Sequence, residues 1–161
     1  MPTPLRPAYR TVRFRELHEI IDDCDRLAAG ECTLLGNWSL AQIVRHLAQG
    51  IDCTFEGFGF QVSWFQRTFL GRLKLLWVLK IGMPRGVRLP ETAMRLMPKC
   101  DPDLAAALEH LRASIRRLEN EIPMHCHPMF GRLTHAEVRG LTLRHAELHL
   151  SYVVPTVPAD T

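Results

Sequence analysis

Apolar residues in this chain recur at intervals of three and four in four separate stretches, with no comparable run of two-residue alternation. That spacing lays one apolar stripe along an α-helix that faces a core. The first stretch, Arg15 to Ala29, places Leu17, Ile20, Ile21, Cys24, Leu27 and Ala28 on the stripe, and Gly30 ends it. The second opens on Ser39 with Gln42 three residues on. This is a capping box, in which each residue's side chain satisfies the other's backbone N–H. Behind it Leu40, Ile43, Val44, Leu47 and Ile51 carry the helix to about Gly57. The third takes Asp101 as cap and Pro102 at its first position, where a missing N–H costs no bond. Leu104, Leu108, Leu111, Ile115 and Leu118 then run to about Asn120. The fourth starts on a second capping box, Thr134 and Glu137. Val138, Leu141, His145, Leu148 and Tyr152 predict helix as far as Pro155.

Roughly forty residues separate the second and third helices, against about 2–8 in a short helix–helix connection. Within them Gln66 to Lys80 predicts an extra helix, and Gly82 to Pro98 a loop broken by Pro and Gly. The pattern predicts an all-α four-helix bundle with a long crossover between helices 2 and 3. It forms one domain over residues 1–161, with the crossover at about 58–98.

Composition narrows the classes. With 47% hydrophobic and 23% charged residues, the 161-residue chain has the material for a core and is not a disordered sequence. A net charge of +3 is too small to imply nucleic acid, and no nucleic-acid partner is expected. The start of the chain, with Pro2, Pro4 and Pro7 among Arg6, Arg10 and Arg13, lacks the apolar run of a secretory signal. Phe69 to Ile81 is interrupted by Arg72, Lys74 and Lys80 and is too charged to span a bilayer. Five cysteines without a CxxC pair read as reduced thiols, so a cytoplasmic location is expected.

The eight histidines are the unusual feature. His145 and His149 lie four apart and stack on one helix face, a common way to offer two imidazoles to one metal ion. His46 sits on or beside the core-facing stripe of the second helix. It is either a hydrogen-bonded core histidine or a third ligand that meets the pair across the core.

With those positions in view, the chain resembles the DinB superfamily of metal-binding four-helix proteins. The resemblance rests on G-N-W-S-L-A-Q-I-V-R-H-L-A, Gly36 to Ala48, paired with the late H-x-x-x-H helix. The segment H-P-M-F-G-R-L-T, His127 to Thr134, is similar to an uncharacterised branch of that superfamily. The resemblance covers Phe14 to Pro155 and is weakest over Phe58 to Pro98. It implies a divalent metal (nickel, zinc or iron) held by His46, His145 and His149. It also implies an activity of the kind found in relatives that are thiol transferases or isomerases using low-molecular-weight thiols. The expected partner is therefore a small molecule, such a thiol being one candidate, and the expected activity a metal-dependent transferase or hydrolase. The alternative is a binding module without turnover. Three protein ligands leave coordination positions open, which is the catalytic rather than the structural arrangement for zinc.

Other residues compete for roles. His125-Cys126-His127 reads as a solvent-facing loop, or else His127 lines the site as an acid/base or an outer hydrogen-bonding group; it is the one candidate catalytic residue. Glu147 should lie about 200° from His145 and carry its charge outward or pair with Arg144. His18, His110 and His135 have no partner at ligand spacing. Cys53 reads as a small core residue, and Trp38 as a residue that packs back on the second helix. No phosphate-binding glycine loop, nucleophile elbow or paired carboxylates are present.

Finally, Gln61 to Cys100 holds Arg67, Arg72, Lys74, Lys80, Arg85, Arg88, Arg95 and Lys99 against Glu91 alone, interleaved with Trp64, Phe65, Phe69 and Trp77. The expectation is a crossover helix that buries Phe69, Leu73, Leu76 and Trp77 against the bundle or a second copy in a homodimer. The alternative is a helix lying on a membrane surface.

Overall fold

A computed structural model of the chain describes residues 8–60, 70–87, 96–98 and 100–156. The order is α1 (His18–Ala29), β1 (Cys32–Leu34), α2 (Leu40–Glu56), α3 (Gly71–Ile81), α4 (Leu104–Asn120), α5 (His135–Leu150) and β2 (Val153–Pro155). The architecture is mainly helical, with one small two-stranded sheet. Both capping boxes form: Ser39 Oγ accepts from Gln42 N–H at 3.1 Å, and Thr134 Oγ1 from Glu137 N–H at 3.2 Å. They fix where α2 and α5 begin, and hence the rotational phase of every residue behind them.

Four helices feed one core. Ile20, Cys24 and Leu27 of α1 meet Val44, Leu47 and Ile51 of α2, Leu111, Ile115 and Leu118 of α4, and Leu143 and Leu150 of α5. A buried Leu or Ile is worth about 1.5–3 kcal/mol, so these stripes dominate the stabilising side. Burial pushes the Cys24 thiol up to about 12, which makes it an inert apolar filler. Across the α2–α4 contact, Asp52 takes hydrogen bonds from His110 Nε2 at 2.6 Å and Ser114 Oγ at 2.7 Å. His135 Nε2 likewise donates to the Leu118 carbonyl at 2.6 Å. His110 and His135 therefore have partners that linear spacing could not show.

Several boundaries differ from the sequence pattern. α1 begins at His18 rather than Arg15, because Glu19 Oε2 accepts the Arg15 and Glu16 N–H groups and holds a bend ahead of the helix. α4 is capped by Asp103, whose carboxylate accepts from Ala106 N–H at 2.8 Å, and not by Asp101. Asp101 is instead hydrogen-bonded by Ser39 Oγ, which joins the start of α2 to the approach to α4. α5 stops at Leu150, and Val153–Pro155 leave the helix to pair antiparallel with β1, Leu34 opposite Val153 and Cys32 opposite Pro155. A three-residue strand is too short to announce itself by alternation.

The crossover carries the largest correction. Of the helix expected over Gln66 to Lys80, residues 66–69 lie outside the described residues, as do Trp64, Phe65, Arg67, Arg88, Glu91, Arg95 and Lys99. The described helix, α3, does not bury Leu73, Leu76 and Trp77; these are 68%, 50% and 45% exposed. Leu75 and Val78 face inward instead, packing with Phe130 and with Leu141 of α5. The opposite face was chosen because α5 offers Gly140 there: a Cβ at Gly140 would stand 2.9 Å from Leu79 Cδ2. Arg72 then reaches Glu137 in the first turn of α5 at 2.9 Å. The two readings of α3 separate on stability. Leu75→Ala should cost about 2–5 kcal/mol and Leu73→Ala under about 0.5 kcal/mol by denaturant titration, with equal costs contradicting this orientation.

The segment before α1 is held by charge. Asp23, buried on α1, receives Arg10 Nη1 at 2.8 Å, and Arg10 N–H donates to the Ser151 carbonyl at 3.0 Å. Burial would raise the Asp23 carboxyl, but the hydrogen bonds from Arg10 and Arg26 outweigh it and hold it below the usual range. A depressed carboxyl stabilises the fold above its unfolded value, about 3.9, and that contribution is lost as pH falls through the folded value. Asp23→Asn should therefore be less stable than wild type at neutral pH, with the gap closing below about pH 4. A gap independent of pH in urea melts would remove the ionic account.

Candidate metal centre

His46 lies seven residues after the Ser39 cap, on the inner face of α2, and His145 and His149 share the face of α5 turned toward it. Their rings gather with centroids 4.7 to 5.0 Å apart, and the three candidate ligand nitrogens lie within 4.8 Å of one another. The sequence-predicted trio is thus brought together. His46 Nδ1 is 3.0 Å from the Leu96 carbonyl oxygen, so Nδ1 carries the proton and donates it there. The lone pair of His46 is left on Nε2, which is 3.2 Å from His145 Nε2. Gly50, one turn on from His46, leaves room for the His145 ring: a Cβ there would already touch it at 3.4 Å.

Burial disfavours the charged form of all three rings. Burial lowers His46, the Leu96 carbonyl offsetting part of the effect. Burial lowers His145 well below its ordinary value, and the neighbouring imidazoles add to it. His149 falls to about 3, by burial first and His46 second. A neutral imidazole is the form that can donate a lone pair to a metal.

Two partners of this cluster were not legible in the sequence. Trp38 stacks on His149, centroids 5.2 Å apart and planes at 9°, and meets His46 edge-on at 4.9 Å. It packs back as expected of a residue ahead of the cap, but its indole forms a wall of the site. The sheet is what brings it there, since Leu35 N–H donates to the Tyr152 carbonyl at 2.9 Å and ties the Gly36–Ser39 stretch to the end of α5. The Leu96 carbonyl has no sequence signal at all, because any residue offers one.

The loop His125-Cys126-His127 divides. His125 and Cys126 are exposed, while His127 turns inward between Phe58 and Phe130, at 5.0 and 4.7 Å between ring centroids. Its Nδ1 accepts the Met129 and Phe130 N–H groups at 3.2 and 3.3 Å, and burial lowers it to about 4. Cys53, half-buried on α2, is not among the grouped ligand residues.

Glu147 departs from the outward reading: it is buried. Its carboxylate accepts Phe14 N–H at 2.8 Å, Arg144 Nη1 at 2.7 Å and Arg13 Nη1 at 3.1 Å. It does pair with Arg144, on the side of α5 away from the histidines.

A cavity of about 800 Å³ opens beside the three rings, lined by α2, α3, α5 and the loop around His127. A family described as a protein of unknown function (DUF1569) matches residues 7–156. The chain belongs to that family. No curated protein and no solved structure matches it. The family match spans the three histidines, Trp38 and His127 alike, from the segment before α1 to the strand after α5. No helix among the described residues is long and apolar enough to cross a membrane.

Proposed function

We propose that this protein holds a divalent metal ion through His46, His145 and His149 and acts with it on a small molecule admitted to the adjoining cavity, in the manner of the DinB superfamily. The observation that carries this reading is the hydrogen bond from His46 Nδ1 to the Leu96 carbonyl, because it aims the free lone pair at the other two rings. Metal-ligating histidines are characteristically oriented by such a bond on the opposite nitrogen. The spacing fits as well. Two nitrogens sharing a tetrahedral zinc-like ion at about 2.0–2.1 Å stand about 3.3 Å apart, and His46 and His145 Nε2 are 3.2 Å apart. The third nitrogen lies within 4.8 Å of these two.

An all-imidazole set suits nickel, zinc or iron alike, and such an ion supplies Lewis acidity at the positions that three imidazoles leave open. The chain's own residues do the rest. Trp38 packs the His149 ring in place, Gly50 admits the His145 ring, and the cavity beside them has a mainly apolar wall for the substrate. The shared core of α1, α2, α4 and α5, with α3 in the crossover, supports the DinB-type four-helix arrangement. The activity proposed, on the resemblance to that superfamily, is a thiol-dependent transferase.

Protein purified without a histidine tag and titrated with nickel, zinc and iron(II) should take up one equivalent of ion, read by elemental analysis. Uptake should be lost in the triple variant His46→Ala, His145→Ala, His149→Ala. Failure to take up any of the three ions would overturn the proposal. Metal uptake without metal-dependent turnover of thiol and electrophile would favour the non-catalytic binding module.

A further inference from the structure

The cavity has a chemical character of its own. At about 800 Å³ it is in the range that encloses a drug-sized molecule. Its walls are hydrocarbon and aromatic, Ile51, Phe58, Met129, Phe130 and Leu141 among them. Among the described lining residues Lys74 is the only charged side chain, and it is exposed on α3. No described carboxylate or guanidinium lines the space. A ligand with several charges would have to leave them unpaired in an apolar wall, which costs far more than the contacts return. The rest of the polar lining is uncharged: the histidines, with Asn37, Thr54, Thr142 and Tyr152.

His127 has a fixed hydrogen-bonding sense. Nδ1 is occupied by the Met129 and Phe130 N–H groups, so in the neutral ring the proton is on Nε2. No described residue accepts from that Nε2–H, and the ring lines the cavity. It is a donor held rigidly by stacking on Phe130 and by the bridge from His127 to Gly131, whose N–H and C=O groups pair at 2.8 and 2.9 Å.

We infer that the cavity takes a mainly hydrocarbon or aromatic small molecule with one compact acceptor head, a carbonyl, ester or carboxylate, which receives a hydrogen bond from His127 Nε2–H. The position of that head beside His46, His145 and His149 rests on the metal-site reading; the apolar cavity and the His127 donor do not. The described walls offer a polyanionic nucleotide, or a thiol carrying several charges, no partner but Lys74. A thiol co-substrate of that kind would meet Lys74, which is exposed on α3.

The test uses the full-length protein stripped of metal, with naphthalene and 2-naphthoate as probes in fluorescence titrations. One equivalent of each should bind. Met129→Trp, which fills the cavity, should weaken both at least tenfold, about 1.4 kcal/mol. Should its melting curve show misfolding, Leu133→Trp at another wall serves the same purpose. His127→Phe keeps the ring stacking but removes the donor together with the Nδ1 acceptor of the Met129 and Phe130 N–H groups. It is therefore read only where its melting curve matches wild type, and His127→Gln serves otherwise. It should weaken 2-naphthoate about tenfold, as loss of a hydrogen bond to a charged group does, and change naphthalene less than about twofold.

Absence of probe binding would overturn the inference. So would binding indifferent to both tryptophan variants, which would put the probe on a surface such as the exposed face of α3. Equal weakening of both probes by His127→Phe would overturn the donor role. Metal titration of the same proteins separates the two proposals: probe binding without metal uptake leaves this one standing, and metal uptake without probe binding leaves only the other.

Discussion

Replacing Glu147 by alanine is expected to destabilise the protein by about 3–5 kcal/mol, although the residue touches no candidate ligand. The carboxylate accepts the Phe14 N–H and two guanidiniums, those of Arg144 and Arg13, at distances of 2.7 to 3.1 Å. Only 7% of Glu147 is exposed, and the Arg144 side chain only 11%. Truncation would therefore leave a buried N–H without its acceptor and a largely buried cation without its counter-charge, Arg144 keeping only its bond to the Phe14 carbonyl at 2.9 Å. Each such orphan costs more than an ordinary hydrogen bond contributes. Arg13 is half exposed and adds little. Against a total of about 5–15 kcal/mol for a domain, the loss should shift the urea midpoint well outside error. Glu147→Gln, which keeps an acceptor for Phe14, should lose roughly half as much. A loss below about 1 kcal/mol for the alanine variant would mean that the cluster is solvated and holds nothing.

The second large effect is on metal affinity. His149→Ala removes one of the three proposed ligands and the ring that Trp38 stacks on, and should weaken metal binding by more than about 100-fold, beyond the 10–100-fold that outer partners are worth. The fold should survive, because the main core is built from the apolar stripes of α1, α2, α4 and α5 and the histidines lie beside it. Metal then stabilises the native state by mass action alone, about 2.7 kcal/mol when free ion is 100 times the Kd. The thermal shift on adding metal should be present in wild type and absent in His149→Ala, with the two metal-free proteins giving closely similar circular-dichroism spectra. An unfolded metal-free wild type would contradict this and make the ion a structural one.

The chain announces some of these features directly. A capping box is local, so Ser39 and Thr134 fix the starts of α2 and α5, and the 3.6-residue repeat then fixes which side chains share a face. That is why His145 and His149 could be paired, and His46 set on or beside the core-facing stripe of its helix, from spacing alone. Other features depend on contacts far apart in sequence. Which face α3 buries was decided by Gly140, where the missing side chain lets Leu79 approach α5, so that Leu75 rather than Leu73 or Trp77 went inward. The end of α5 was decided by β1, more than a hundred residues earlier, which takes up Val153–Pro155 as its only partner strand among the described residues. Glu147 turned inward because Arg13 and Phe14 arrive beside it from the other end of the chain, and no helical wheel contains them. Helix phase is set by nearest neighbours along the chain and can be read from the sequence. The choice among equally apolar faces, and the partner of a buried charge, are set by whichever distant surface comes to lie against them, and only the folded structure brings that surface there.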